Sequence, residues 1–568
     1  MLLSLLLLCT TPVAAAAPVF PAISIAPKDP IAYRSLTIAA KAAFDAKDYA
    51  KAETLYRQAT DLYPLDWLNW RYLAASLRFQ DKWREAIPAY ERLIQLSGTF
   101  VGQGRYYQAV GYTKLGQRDK ALATLKTMIF EDHAIDRPGL AADENFKPLW
   151  ADPEFRALVS PPAIGKDRDA QWRGDLAFLV SEVHRLNPDY RGKALSAETQ
   201  GLVDKLDRDI PKLSDDQIFA RLSEVVGSLH QNHTMFWGAS FGPPDPKIAV
   251  PMRYLPLHLW AFPEGIYVVG ADEAHQSLIG SRVEAVGGVP IAEVVRRIRP
   301  TMSFRSEAEF AWSAPMRMTS VALLQGLDIA QRDAPVSIML SRAGATSTIN
   351  LKPVDTPVGR KLGPPPGVDP PRFLAQVPNP HWFELLPGKR TVYAQFNQVA
   401  DGDDETLQQF GLKLRDALAD PAIDSVIVDL RHNNGGNTFL YPELLRTLTA
   451  FSTRPGAQVY ALIGRNVYSA AGNFVTDLER FASPVFVGEP TGNMGNQDGD
   501  EGQVLLPYSR FFATVAAVKW QLSFPGDDRA TIVPHVPVPL TAADYFAGRD
   551  PVFDTAIKLI EARRRQGS

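Results

Sequence analysis

A single cysteine, Cys9, occurs among the 568 residues, and it lies in an apolar N-terminal stretch. The rest of the chain therefore has no thiol for a disulfide, a thiolate metal ligand or a cysteine nucleophile. An excess of positive charge is also missing. Lys plus Arg total 60 against 63 Asp plus Glu, a formal net charge of -3, which argues against nucleic acid or an anionic membrane surface as a partner held by bulk charge. Long hydrophobic runs are lacking too. The leucine-rich run at 2–8 is too short to cross about 30 Å of hydrocarbon, and no later uncharged apolar stretch approaches the length of a span. No membrane span is expected. His230 and His233 could share a helix face, but no His-Glu-x-x-His pattern and no third ligand accompany them, so neither a metal nor a cofactor is expected.

What is present is the composition of ordinary globular domains, 46% hydrophobic and 22% charged, in a chain whose length at about 150 residues per domain implies several of them. After the leucine run come Thr10-Thr11-Pro12 and the small residues Val13 to Ala17, the pattern of a signal-peptidase site. Residues 1–17 are accordingly expected to be a signal peptide, and the protein to be exported, periplasmic or secreted. No Lys or Arg precedes the run, since the first charged side chain is Lys28, which departs from the usual basic start.

Between 35 and 135 the sequence repeats. Ala52, Ala86 and Ala121 are spaced by 34 and 35 residues, and four positions after each stand Tyr56, Tyr90 and Leu125. Asp48-Tyr49, Lys82-Trp83 and Gln117-Arg118 recur where paired helices would bend. This resembles the tetratricopeptide repeat, in which a small alanine lets two helices approach and an aromatic fills the groove beside it. The resemblance implies a short superhelix whose concave face takes a peptide or protein partner, or else braces the following domain.

From 166 to 242 apolar residues recur at helical spacing, as in Leu176, Leu179, Val183 and Leu186. From 243 to 352 shorter runs rich in Val, Ile and Tyr read as strands, with a helical stretch near 308–330. Within them Gly280 to Pro290 is similar to the strand, glycine turn and proline of a PDZ-like domain. Residues 353–389 are dense in proline, including Gly363-Pro364-Pro365-Pro366-Gly367, and are expected to form an extended linker.

From 390 to 560 buried-strand and helix signals alternate, giving an α/β core. The apolar strand around Ser425 to Leu430 runs into Arg431-His432-Asn433-Asn434-Gly435-Gly436, and glycines at a strand's carboxyl end let backbone N–H groups approach developing negative charge. A second strand, Val459 to Gly464, leads to Tyr468-Ser469-Ala470-Ala471-Gly472 at the start of a helix, followed by Val487-Gly488-Glu489-Pro490-Thr491-Gly492. The ordered set resembles the tail-specific, or C-terminal processing, serine peptidases, whose catalytic core has a Clp/crotonase-like fold.

The resemblance implies Ser469 as nucleophile, where an isolated serine would be read as a helix N-cap. It implies an oxyanion site from the N–H of Ala470 with that of Gly435 or Gly436. One branch of the family activates its serine with a lysine about 25 residues on; here that position is Met494, and Lys519 falls at the wrong distance. The other branch resembles the tricorn protease core, with a histidine base and a carboxylate nearer the C-terminus. His233, in His230-Gln231-Asn232-His233-Thr234, is the candidate base, since the segment resembles the family's Gly-His-Thr motif with Asn232 in place of glycine. A neutral imidazole suits proton transfer near neutral pH. The carboxylate falls on Asp528 or Asp527, and both fit. His230 reads as structural, His432 as a loop residue able to approach substrate, and Glu489 as either an electrostatic support or a solvated carboxylate.

The whole reads as a multidomain chain: an all-α tetratricopeptide-like superhelix, an α+β and β-rich PDZ-like region, and the α/β core. The expected function is that of an exported serine peptidase cutting peptides or protein C-terminal segments. The alternative is an inactive peptidase fold that binds an apolar ligand or acts as a scaffold through its helical repeats.

Overall fold

The computed structural model describes residues 27–98, 100–132, 136–160, 165–239, 245–332, 334–359, 361–388 and 390–566. The expected signal peptide and Cys9 lie outside them. The described residues form two compact units, one of 27–132 with 143–158 and one of the remainder.

In the first unit, helices Pro30–Asp45, Tyr49–Leu62, Trp67–Arg78, Trp83–Leu96, Val101–Lys114 and Arg118–Phe130 follow one another through short turns. Asp29, Asp48 and Asp66 each cap a helix by accepting N–H groups of its first turn, satisfying donors that have no partner inside the helix. The backbone repeats along with the sequence. Lys47, Asp81 and Gly116 stand two residues before the starts of the second, fourth and sixth helices and all have left-handed φ, at 61°, 55° and 68°. Ala52, Ala86 and Ala121 are fully buried, and Tyr56 and Tyr90 stack on Tyr72 and Tyr107 of the next helix at 5.6 and 5.4 Å. Small residues at the crossings let the aromatics fill the space between neighbouring pairs.

In the second unit, helices Arg168–Leu186, Ala197–Asp209 and Asp215–Gly227 lead to the strand Met235–Gly238. That strand pairs antiparallel with Phe512–Trp520, which pairs in turn with Gln497–Leu505. The helices and this small sheet are welded by Trp172, Phe219, Phe236 and Phe511. An antiparallel sheet follows, in the spatial order Leu257–Phe262, Gly265–Ala271, Arg282–Val286, Val336–Arg342, Ala345–Leu351. Helices Ile291–Ile298, Glu307–Arg317 and Val321–Gly326 lie between its third and last strands in sequence.

The last layer is a six-stranded sheet in the order Val536–Pro537, Val485–Gly488, Gln458–Ile463, Ser425–Asp429, Thr391–Phe396, His381–Leu385. Its first five strands are parallel and the last runs antiparallel at the edge. Alternate residues face opposite sides. Val392, Ala394, Val426 and Val428 pack under Phe410, Leu414, Leu448 and Phe474, while Tyr393, Ile427, Tyr460 and Leu462 pack against Val552, Ala556 and Ile560 of the terminal helix. Both faces are covered by helices, which is why the strands read as continuous apolar runs.

The proline-dense segment 353–389 is not a free linker. Leu362, Phe373 and Leu374 are buried in one cluster with Trp260, Phe262 and Tyr545, and His381–Leu385 is the edge strand of the core sheet. Tyr545 Oη donates to the Gly363 carbonyl at 2.8 Å and Gln395 Nε2 to that of Phe373 at 2.8 Å. Proline already restricts the unfolded chain, so packing such a segment costs less entropy than packing an ordinary loop.

One buried ionic group ties strand to helix. Arg431, directly after the central strand, holds Asp429 at 2.6 Å and Asp550, ahead of the terminal helix, through paired bonds of 2.8 Å. Removing Arg431 leaves two buried carboxylates, Asp429 and Asp550, without their counter-charge. We expect Arg431→Leu to destabilise the second unit by about 3 kcal/mol in chemical denaturation; a loss below about 1 kcal/mol, as for exposed pairs, would contradict this role.

Candidate active site

Ser469 stands between the strand Gln458–Ile463 and the helix Ala470–Ala482 with φ 55° and ψ -129°. A positive φ on a non-glycine residue is strained and persists where the surroundings over-determine it. Its hydroxyl makes no capping bond to that helix, so the ordinary structural use of a serine at this position is not the one adopted. Ala470 opens the helix, where a backbone N–H has no intrahelical acceptor.

The glycine loop presses against this turn. A Cβ on Gly435 would lie 2.6 Å from Ser469 Cβ and 3.0 Å from Ala470 N, and one on Gly436 would lie 2.2 Å from the Val399 carbonyl oxygen. With φ of 107° and 139°, neither position tolerates a side chain. The Gly435 N–H is already given to Asn433 Oδ1 at 3.1 Å. Gly436 and Ala470, in contrast, border a cleft of about 210 Å³ together with Ser469, His233, Asp500 and Trp520.

His233 reaches the cleft from the loop before the strand Met235–Gly238. Its backbone N–H donates to Tyr468 Oη at 2.9 Å, and the two rings lie 4.7 Å apart. Its Nδ1 sits 2.8 Å from the Asp498 carbonyl oxygen. A carbonyl only accepts, so Nδ1 carries the proton and Nε2 keeps its lone pair. Burial pushes the imidazole below its ordinary pKa of 6.5, against the opposing pull of Glu501, Asp500 and Asp498. The ring is thus neutral near pH 7.

The carboxylates expected to assist it are elsewhere. Asp527 accepts from Arg529 at 2.8 and 2.9 Å and from Ser523 Oγ at 2.6 Å, and Arg529 holds it well below the usual carboxylate range. Asp528 is exposed. The expected pairing of Asp527 or Asp528 with His233 is not formed, because the His233 Nδ1–H donates to a backbone carbonyl instead. Asp500 is the carboxylate lining the cleft, pushed up by burial and pulled down by His233. Met494 is buried in the core, and Lys519 pairs with Asp189 at 2.7 Å and Asp498 at 3.5 Å. His230 is exposed beside Glu198, His432 is buried against Phe373, and Glu489 pairs with Arg465 at 3.0 Å. Among the described residues no group of three His, Cys, Asp or Glu is placed to hold a metal.

Sequence reasoning missed Glu309. This fully buried side chain, on the helix Glu307–Arg317, accepts from Tyr468 Oη at 2.9 Å, Asn232 Nδ2 at 2.6 Å and the Arg305 N–H at 3.0 Å. It therefore grips the neighbours of both Ser469 and His233. Asn232, where the resembled motif has glycine, is one of its ligands. Gln497 completes the frame, donating to the Ser469 carbonyl and to Asn473 Oδ1, each at 2.9 Å.

Burial raises Glu309 to about 7, above its ordinary 4.5. A carboxyl raised on folding contributes stability below its unfolded pKa and loses it as pH rises through the folded value. Glu309→Gln removes this titration, so its stability relative to the parent should improve as pH is raised from 4.5 to 8, as followed by urea denaturation. A difference independent of pH would contradict the assignment.

No family model and no curated protein sequence matches the chain. In structure it is similar to mature CPAF complexed with lactacystin, with a TM-score of 0.48 and 14% identity over 70% of this chain and 99% of that one. It is also similar to the photosystem II D1 C-terminal processing protease, at 0.34 and 14% over 67% and 98%. The tricorn protease gives 0.32 and 13% over 69% of this chain and 37% of the other. Likeness of this degree leaves the chemistry to the site's own geometry.

Proposed function

We propose that the protein is an exported serine peptidase that hydrolyses peptides or the C-terminal segments of proteins. The observation that carries the reading is the tautomer of His233: its Nδ1–H is tied to the Asp498 carbonyl, leaving Nε2 as a base in the cleft that holds Ser469. A serine hydroxyl needs such a base to attack.

In this mechanism Ser469 Oγ adds to the scissile carbonyl as Nε2 takes its proton. The tetrahedral oxyanion is met by the N–H groups of Ala470 and Gly436, and the positive end of the helix Ala470–Ala482 adds to them. The imidazolium, stabilised by the Asp498 carbonyl and by the negative charge of Asp500 and Glu501, returns the proton to the leaving amine. Water then enters, gives a proton to Nε2 and releases the acyl group, restoring Ser469. Glu309 is a positioning residue that holds Tyr468 and Asn232 in register. The first unit serves, in this account, as tetratricopeptide-like repeats that take a peptide or partner along a groove lined by Tyr72, Tyr107, Arg71 and Arg78, and the antiparallel sheet as a PDZ-like module beside the core.

Ser469→Ala and His233→Ala should each lower kcat/KM for peptide hydrolysis by about a thousandfold or more while each variant still folds cooperatively. Full turnover in the serine variant would refute the peptidase, and a folded parent without any turnover would favour a ligand-binding or scaffolding fold.

A further inference from the structure

A second chamber, of about 270 Å³, opens where the antiparallel sheet meets the core. Trp237, Trp312 and Met316 line it together with the buried Trp260, His432 and Asn466. It shares no lining residue with the Ser469 cleft, but two of its residues lie beside neighbours of Ser469. Asn434 in its lining directly precedes Gly435, which touches Ser469, and Trp312 packs on Tyr468 with ring centroids 5.4 Å apart.

Part of this lining is polar and unsatisfied. Trp260 and Asn466 are 7% and 8% exposed, yet Trp260 Nε1 and Asn466 Oδ1 are buried without a hydrogen-bond partner. Buried groups left unpaired are costly, and in a binding site they point to a ligand that completes them. The set offers a donor, the indole N–H, and an acceptor, the amide oxygen. Burial pushes His432 down to about 4, so it is neutral and brings no positive charge for a carboxylate.

Resting on the peptidase reading, we propose that this chamber is a specificity pocket for a tyrosine side chain of the substrate, whose ring lies among the indoles while its phenol accepts from Trp260 Nε1–H and donates to Asn466 Oδ1. The chamber has room for one aromatic ring. Phenylalanine would fill the same walls and leave both polar atoms unpaired, the circumstance in which a site discriminates most strongly.

The test uses full-length Ser469→Ala protein and a set of tetrapeptide amides identical but for Tyr, Phe, Leu or Asp at one central position, titrated by calorimetry. The tyrosyl peptide should bind at least about tenfold more tightly than the phenylalanyl one, and Asn466→Leu or Trp260→Phe, added singly, should bring the two together. The comparison among peptides needs no pocket variant to fold. Equal binding of Tyr and Phe would overturn the proposal, showing that water already satisfies these groups in the small cavity of about 40 Å³ that shares them. Tightest binding of the Asp peptide would overturn it in favour of a charge site at Lys361, which also lines the chamber. Cleavage mapping with the unsubstituted protein separates the two readings: hydrolysis without preference for Tyr defeats the pocket alone, and tyrosine-selective binding without hydrolysis defeats the peptidase alone.

Discussion

The short antiparallel pairing of Met235–Gly238 with Phe512–Trp520 is the contact on which the site depends. Met235 opposes Thr514 and Phe236 opposes Ala513, and the far strand of the same sheet, Gln497–Leu505, begins with the residues that receive His233. Through it a loop that follows the helical layer is placed against the turn at the head of the Ala470–Ala482 helix. A shift of one residue in that register would send every side chain of the short strand to the opposite face. The aromatic cluster of Trp172, Phe219, Phe236 and Phe511 resists the shift, because Phe236 belongs to both the strand and the core.

Around that contact the electrostatics are arranged in a consistent sense. The His233 imidazole is neutral because it is buried, and the acidic groups that face it, Asp500 and Glu501, oppose that shift only in part. The hydrogen bond that sets its tautomer is donated to a main-chain carbonyl, which carries no charge of its own and does not titrate. A carboxylate in that place would raise the basicity of the imidazole further. The buried carboxyl of Glu309 sits one layer back, where it holds Tyr468 and Asn232.

Much of the arrangement was legible in the residues. The repeat spacing, the alternation of strands and helices from 390 onward, and the pattern around Asp429, Gly435 and Ser469 are signals carried by side-chain type at fixed intervals. Ser469, Gly436, Ala470 and His233 do converge on one cleft. The partner of His233 was not legible, because a backbone carbonyl has no residue signature and Asp527 and Asp528 offered the expected carboxylate at the expected distance from a proline. Glu309 was hidden for a related reason: its ligands come from three separate stretches of chain, around 232, 305 and 468. The segment 353–389 misled through proline, which marks extended backbone equally in free linkers and in packed ones; Leu362, Phe373 and Leu374 were the residues that distinguished them.

The account turns on a serine made nucleophilic by a neutral, buried histidine. The most direct test is the rate at which a serine-directed phosphonate labels the folded protein as a function of pH, with the adduct located by mass spectrometry. The account predicts labelling at Ser469, rising with pH through a midpoint below 6.5, the ordinary value for histidine, and abolished in His233→Ala. Labelling at Ser469 that persists undiminished without His233, or a folded protein that takes no label at any pH, would contradict it.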